Sequence, residues 1–263
     1  MEQGKNIPRL RQMLLSMPMA GRIIQDRLAG DILTQQVGSN RRQFFRHIVS
    51  DFPIFELKFS DDSGGVSDIS WGGIGINIPK KRIKGLPYAR NTIGILKCLD
   101  RFCHLEMDVR FSTPTFTGCQ LKMRTPYAEV FLRSVLLFMD SGVATTKHEV
   151  EGEEWPDGWE LYRNVGANVF IGLHSIDNSV VGGCMVFGTG HKRCFSMINA
   201  GYLDYGSDMR VALSHSQSVT LLRQSVFLLI GFYQRSKLPL VKQWVEVSIA
   251  ELKSLLDDTS RSA

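Results

Sequence analysis

Ten consecutive residues, Phe102-Cys-His-Leu-Glu-Met-Asp-Val-Arg-Phe111, alternate with a period of two, the spacing of a β-strand with one face buried and the other wet. Gly118-Cys-Gln-Leu-Lys-Met123 stands just beyond a turn-forming stretch and reads as the antiparallel partner. Shorter runs of the same character come before: Phe52-Pro-Ile-Phe-Glu-Leu-Lys-Phe59, Gly65-Val-Ser-Asp-Ile-Ser70 and Gly75-Ile-Asn-Ile78. Short strands punctuated by turn residues from Ile48 to Gln120 predict a small antiparallel barrel. At Pro126 the period changes, and Pro126-Tyr-Ala-Glu-Val-Phe-Leu-Arg-Ser-Val-Leu-Leu-Phe-Met139 is helical. Proline suits a first turn because its missing N–H would find no partner there anyway. This helix is expected to close or cap the barrel, a unit read as residues 40–140.

Residues 1–39 hold Leu10, Met13, Leu14, Met17, Ile23, Ile24, Leu28, Ile32 and Leu33 at spacings of three and four, which fits one or two amphipathic helices over 8–36. Their apolar stripe has to cover something, either the body of the chain or a second copy. Residues 141–158 are acidic and weakly apolar, and read as a linker. Beyond them, Val169–His174, Val180–Phe187 and Arg193–Ile198 read as three strands, with a turn at Asp177-Asn178 and another around Gly188-Thr-Gly190. A long apolar helix at 213–236 follows, then Leu240-Val-Lys-Gln-Trp-Val-Glu-Val247 as a strand, then a last helix opened by the capping box Ser248-Ile-Ala-Glu251. The expected fold is therefore α+β: a barrel with flanking helices, and a second α+β domain over 159–263 in the order β-β-β-α-β-α.

Bulk composition removes several classes. With 31 Lys and Arg against 26 Asp and Glu, the net charge of +5 permits an anionic partner without indicating nucleic acid. DNA binding also lacks a legible helix-turn-helix. The five cysteines make an odd set with no CxxC pair, so neither a disulfide framework nor a zinc site is signalled. The first residues, Met-Glu-Gln-Gly-Lys-Asn, carry no basic region leading into an apolar run, and no apolar run approaches the roughly 20 residues that span a bilayer. A reduced, cytoplasmic setting is the expectation.

The candidate site is a pair of motifs. Arg41-Arg42-Gln-Phe-Phe-Arg46 sets guanidinium groups ahead of the first strand, and Asp68-Ile-Ser70-Trp-Gly-Gly73 makes a polar turn between two strands. A guanidinium fork matches phosphate oxygens and the O6/N7 edge of guanine, and it can also stack on a base. A carboxylate such as Asp68 can accept from guanine N1–H and N2–H, Ser70 offers a small hydroxyl, and Gly73 allows backbone to pass where a Cβ would collide. Together they describe a site for a planar, doubly charged, guanine-bearing ligand.

In order and separation, Arg42-x-x-x-Arg46 followed by Asp68-x-Ser70-x-x-Gly73 resembles the motif pair of the PilZ family of cyclic di-GMP receptors, over about residues 40–140. The resemblance implies a barrel whose outer face binds cyclic di-GMP through Arg42, Arg46, Asp68, Ser70 and Gly73, beneath an arginine arm that becomes ordered around the ligand. It further implies, through Arg41 immediately ahead of the motif, binding of an intercalated ligand dimer. No cofactor, metal or catalytic residue is implied, and the output would pass to the C-terminal domain or to a protein partner.

Other residues were weighed against this. Trp71 can stack on a base or cover the barrel core, and His47 can help order the arm or simply pack. Cys98, Cys103 and His104 include potential metal ligands, but alternation puts Cys103 and His104 on opposite faces. Gly188-Thr-Gly-His-Lys192 lacks the spacing of a phosphate loop and reads as a turn. Ser214-His215-Ser216, with Asp204 and Asp208 at a distance, has no nucleophile elbow and reads as a helix start. The β-β-β-α-β-α order loosely resembles the later half of acetyltransferase-like folds, so a cyclic di-GMP-regulated acyltransferase is the alternative, although its pyrophosphate loop is missing.

Overall fold

The alternation from Phe102 onward produces the longest barrel strand, β6 (Arg101–Ser112). The computed structural model describes residues 45–59, 63–77, 92–122, 125–148, 158–189, 192–207 and 212–262. Arg41, Arg42, the helical pattern at 8–36 and residues 149–157 of the acidic stretch lie outside them.

Six antiparallel strands close on themselves: β2 (Phe55–Lys58), β3 (Ser63–Ser70), β4 (Gly73–Asn77), β5 (Thr92–Cys98), β6 and β7 (Thr117–Lys122). Their cyclic order is β3-β2-β5-β6-β7-β4, with β4 returning to β3, and the two-residue β1 (His47–Ile48) pairs beside β3. The sequence did not single out β5. Leu57, Ile69, Ile74, Ile76, Leu96, Cys103, Leu105 and Met107 fill the interior, none more than 1% exposed. A barrel of this size is a packed core, so whatever it binds must meet its outside.

Two β-bulges decide which residues reach that outside. On β3 the register slips between Val66 and Asp68, and on β6 between Val109 and Phe111. In strict alternation Asp68 would share the inward face with Val66, and Phe111 would share it with Val109. One extra residue in each strand turns both outward. Beneath them Ile69 points inward and is fully buried, whereas Phe111 is 45% exposed.

Helix α1 (Pro126–Val143) starts where the sequence places it, with Thr125 Oγ1 accepting from the Ala128 N–H at 3.2 Å. Its first half meets the start of β6: the Arg101 guanidinium lies 5.3 Å from the Phe131 ring centre, and the Tyr127 hydroxyl donates to the Phe102 carbonyl at 3.3 Å. Residues through Leu137 belong with the barrel, and those from Phe138 onward with a second unit.

That second unit is a six-stranded antiparallel meander: β8 (Thr146–Lys147), β9 (Trp159–Asn164), β10 (Val169–Ile176), β11 (Ser179–Thr189), β12 (Lys192–Asn199) and β13 (Tyr202–Ser207). Two of its hairpins turn on left-handed pairs, Asp177 with Asn178 and Ala200 with Gly201, the backbone that matches strand twist in a two-residue loop. Helix α2 (His215–Ser236) begins with a capping box between Ser214 and Gln217, which absorbs the Ser214-His215-Ser216 cluster. Backbones come close between α1 and α2: a Cβ on Gly142 would lie 2.6 Å from the Phe232 nitrogen, and one on Gly231 would lie 2.8 Å from the Met139 carbonyl carbon.

The expected strand at 240–247 is not one. Helix α3 runs unbroken from Pro239 to Ser262, and Ser248 sits inside it, fully buried, instead of capping a new helix. Val241, Trp244, Val245, Ser248 and Leu252 recur at helical spacing and are all buried, so the 3.6-residue period outweighs the β-propensity of the valines. Trp244 fixes the register, donating from its indole nitrogen to Ser196 Oγ at 3.0 Å, with both groups inaccessible to water. Among the described residues no helix is long and apolar enough to cross a membrane.

Candidate functional site

Outside the barrel, one row of directly paired residues crosses four strands: Asp68 faces Gly75, Gly75 faces Gly118, and Gly118 faces Phe111. The next row runs Ser70, Gly73, Gln120, Asp108. Three of these positions have no side chain of their own, and neighbouring side chains cover them: Arg46 over Gly73, Asp68 and Phe116 over Gly75, and Phe111 over Gly118.

Arg46 stands just ahead of β1 and reaches across β3 to this patch. Its NH1 forms an ion pair with Asp68 Oδ1, and its NH2 lies over Gly73, 3.2 Å from where a Cβ would be. Both side chains are largely shielded, at 25% and 16% exposure. The segment just after β1 is tied down at the β3 bulge, where the Ser67 carbonyl accepts from the N–H groups of Val49 and Ser50 at 2.8 and 3.2 Å. One feature of β3 thus anchors the far end of β1 and aims Asp68. His47 is buried and meets the Phe45 ring edge-on at 5.0 Å, so it helps seat the arm.

The two oxygens of Asp68 have different neighbours. Oδ1 serves Arg46, while Oδ2 accepts from Ser67 Oγ at 3.2 Å and lies over Gly75. A carboxylate offers about four lone-pair directions, so Oδ2 retains capacity toward an N–H donor arriving over the patch. Ser70 is buried and its hydroxyl donates to the Gly73 carbonyl at 3.2 Å, closing the hairpin that carries Trp71 and Gly72. Its role here is to fix the turn. Gly73 is sterically required: a Cβ would stand 2.8 Å from the Cys119 carbonyl oxygen, which belongs to backbone and cannot swing away. Burial pushes the Cys119 thiol up to about 12, leaving a neutral wall behind the site.

The structure therefore brings Arg46, Asp68, Ser70 and Gly73 together, while Arg41 and Arg42 lie outside the described residues. Trp71 is half-buried in the turn. Gly75, Gly118, Phe111 and Phe116 border the same patch and were not singled out from the sequence. The legible signal was Gly73-Ile-Gly75-Ile, an alternation in which one face of a strand is left without side chains. Beyond the patch, Lys122 pairs with Asp108 at 2.7 Å, and Arg110 donates from Nε to Gln120 Oε1 at 2.7 Å.

The second unit has a separate concavity of about 240 Å³ near the start of α2, bordered by Cys194, Ser207, Ser216, Gln217, Thr220 and Gln224. Leu213 and Leu221 also line it, and apolar atoms make up more of its wall than hydroxyl and amide groups do. Among the described residues no three His, Cys, Asp or Glu side chains gather as metal ligands would. No protein-family model, curated protein or solved structure matches this chain.

Proposed function

We propose that this chain is a cyclic di-GMP receptor of the PilZ type, in which the barrel's outer patch binds the nucleotide and the signal passes to the second unit or to a protein partner. The observation that carries the reading is the meeting of two motifs 22 residues apart in sequence, the guanidinium of Arg46 on the carboxylate of Asp68, above a sheet surface cleared by glycine. Guanine presents N1–H and N2–H on one edge and O6 and N7 on another. Asp68 Oδ2 suits the first edge, and the remaining N–H donors of Arg46 suit O6, N7 or a phosphate oxygen. Arg42 and Arg41 extend the arm and would add phosphate contacts and a second base.

Binding needs no chemical step, so no catalytic residue is assigned. The ligand would exchange part of the Arg46–Asp68 pair for contacts of its own, and the energy gained would order the arm ahead of β1. Helix α1, which both units share, is the covalent route by which the barrel continues into the second unit.

Isothermal titration with cyclic di-GMP tests this. Wild-type protein should bind, and Arg46→Ala or Asp68→Ala should weaken binding about 10- to 150-fold, the equivalent of one charge-assisted hydrogen bond of about 1.5–3 kcal/mol. Two nucleotides per chain would support the role given to Arg41; one would remove it. Absence of heat at protein concentrations well above micromolar would sink the proposal.

A further inference from the structure

Two aromatic rings cover the glycines of the patch. Three ring atoms of Phe111 lie against the point where a Cβ on Gly118 would stand, two of them at 2.7 and 2.9 Å, so the ring covers that glycine. Phe116 reaches the neighbouring glycine, its Cζ 2.6 Å from the corresponding point on Gly75. Gly75 and Gly118 are direct partners on adjacent strands, which run about 4.8 Å apart in any sheet. The ring centres are 5.6 Å apart and the planes differ by 28°. Two mutually stacked rings therefore cover two adjacent glycines.

Each ring is held in place by the backbone. The β6 bulge turns Phe111 outward, where an apolar residue in an alternating strand would otherwise enter the core. Phe116 closes the β6–β7 turn, in which the Thr113 N–H donates to the Phe116 carbonyl at 2.7 Å and the Phe116 N–H donates to Thr113 Oγ1 at 3.1 Å. Ser112 and Thr117 exchange a further hydroxyl bond of 2.9 Å at the base of that turn. A phenylalanine left 45% exposed on so rigid a mount loses little freedom when it is covered.

From this we infer that Phe111 and Phe116 form the stacking platform for the guanine whose N1–H and N2–H edge meets Asp68. The inference rests on the cyclic dinucleotide reading and deepens it. Asp68 Oδ2 and Phe116 Cζ converge over the same glycine, so a base bonded to the carboxylate meets the rings beside it. Aromatic stacking supplies area and tolerates any purine, while Asp68 and Arg46 choose guanine by its edges. Hydrogen bonding thus sets identity, and the two phenylalanines set a share of the affinity that is common to all purines.

Titration of cyclic di-GMP into wild type, Phe111→Leu, Phe116→Leu, Phe111→Tyr and Arg46→Ala separates the possibilities. Leucine keeps an apolar cover on the glycine and removes the ring, so each leucine variant should bind about 10-fold more weakly, while Phe111→Tyr stays within about 3-fold of wild type. In wild-type protein with ¹³C-labelled phenylalanine rings, contacts between the guanine H8 proton and the Phe111 or Phe116 ring should appear by NMR, which requires no variant to fold. If wild type binds and Arg46→Ala does not, yet the leucine variants match wild type and no ring contacts appear, the platform is wrong and the receptor reading stands. If wild type itself fails to bind, both fall.

Discussion

Gly75→Ala isolates the site with the smallest possible change. A Cβ at that position would press on Asp68 Oδ2 and stand 2.8 Å from Asp68 Cγ and 2.6 Å from Phe116 Cζ. Observed Cβ atoms do not come within 3.0 Å of such neighbours. Both side chains must therefore move. Both are partly exposed ends of side chains, so the fold can yield at a cost near the low end of the 1–3 kcal/mol expected for overpacking. Part of that cost is offset by the roughly 0.5–1 kcal/mol that alanine gains over glycine in a strand. Net destabilisation should stay under about 2 kcal/mol.

Ligand affinity should fall by more. As the carboxylate moves, guanine loses a charge-assisted acceptor of about 1.5–3 kcal/mol; as Phe116 moves, it loses a stacking surface of comparable size. By either loss alone cyclic di-GMP should bind about 10- to 150-fold more weakly. Gly65→Ala is the matched control, because it lies on β3 itself and a Cβ there meets nothing within 4 Å. Calorimetric titration beside thermal unfolding of the three proteins reads both quantities. Wild-type affinity in a folded Gly75→Ala protein would refute the reasoning, since no arrangement of Asp68 and Phe116 as they stand admits the extra carbon.

Gly231→Ala tests the α1–α2 contact: helix propensity favours alanine by about 1 kcal/mol, but a Cβ 2.8 Å from the Met139 carbonyl carbon should reverse the sign and destabilise by about 1–3 kcal/mol. Urea unfolding measures it, and a more stable variant would mean that these backbones do not touch. All five cysteines are buried, so a thiol reagent should find none in native protein and five after denaturation. Burial raises Cys119 and Cys184 from the ordinary value of 9.0 to about 12. A raised folded value means their contribution is whole below pH 9 and drains away as pH climbs toward 12, by about 1.4 kcal/mol per pH unit for each thiol. Stability should therefore drop from about pH 9 upward toward pH 12, and Cys119→Ala combined with Cys184→Ala should flatten that slope; an unchanged slope would count against the assignment.

What the sequence revealed follows from which forces act locally. Apart from β5, the barrel strands were legible because one face is core and the other water, and helix α1 because proline and an apolar stripe mark its start. Strands β9 and β13 were missed, since Trp-Glu-Leu-Tyr-Arg-Asn and Tyr-Leu-Asp-Tyr-Gly-Ser gain their strand character from the partners beside them. Leu240–Val247 misled in the opposite way. Its valines favour a strand in isolation, but Trp244 is buried and bonded to Ser196, and a helix is what delivers Val241, Val245, Ser248 and Leu252 to the same face. Removal of that expected strand also removes the β-β-β-α-β-α order on which the acyltransferase alternative was based.

The candidate site divides along the same line. Arg46, Asp68, Ser70 and Gly73 could be named from spacing, but spacing cannot say that Asp68 faces outward, because alternation from Val66 sends it into the core. The bulge at Ser67 reverses that, and no residue type in Val-Ser-Asp-Ile announces it; the extra residue is stabilised by Val49 and Ser50, both donating to the Ser67 carbonyl. Arm and strand are thus conditions for each other. The segment after β1 holds the bulge, the bulge presents Asp68, and Asp68 pairs with Arg46 just ahead of β1. Weakening any one of the three should loosen the other two, so changes near Val49, where no ligand atom would reach, should reduce affinity through the position of Asp68 alone.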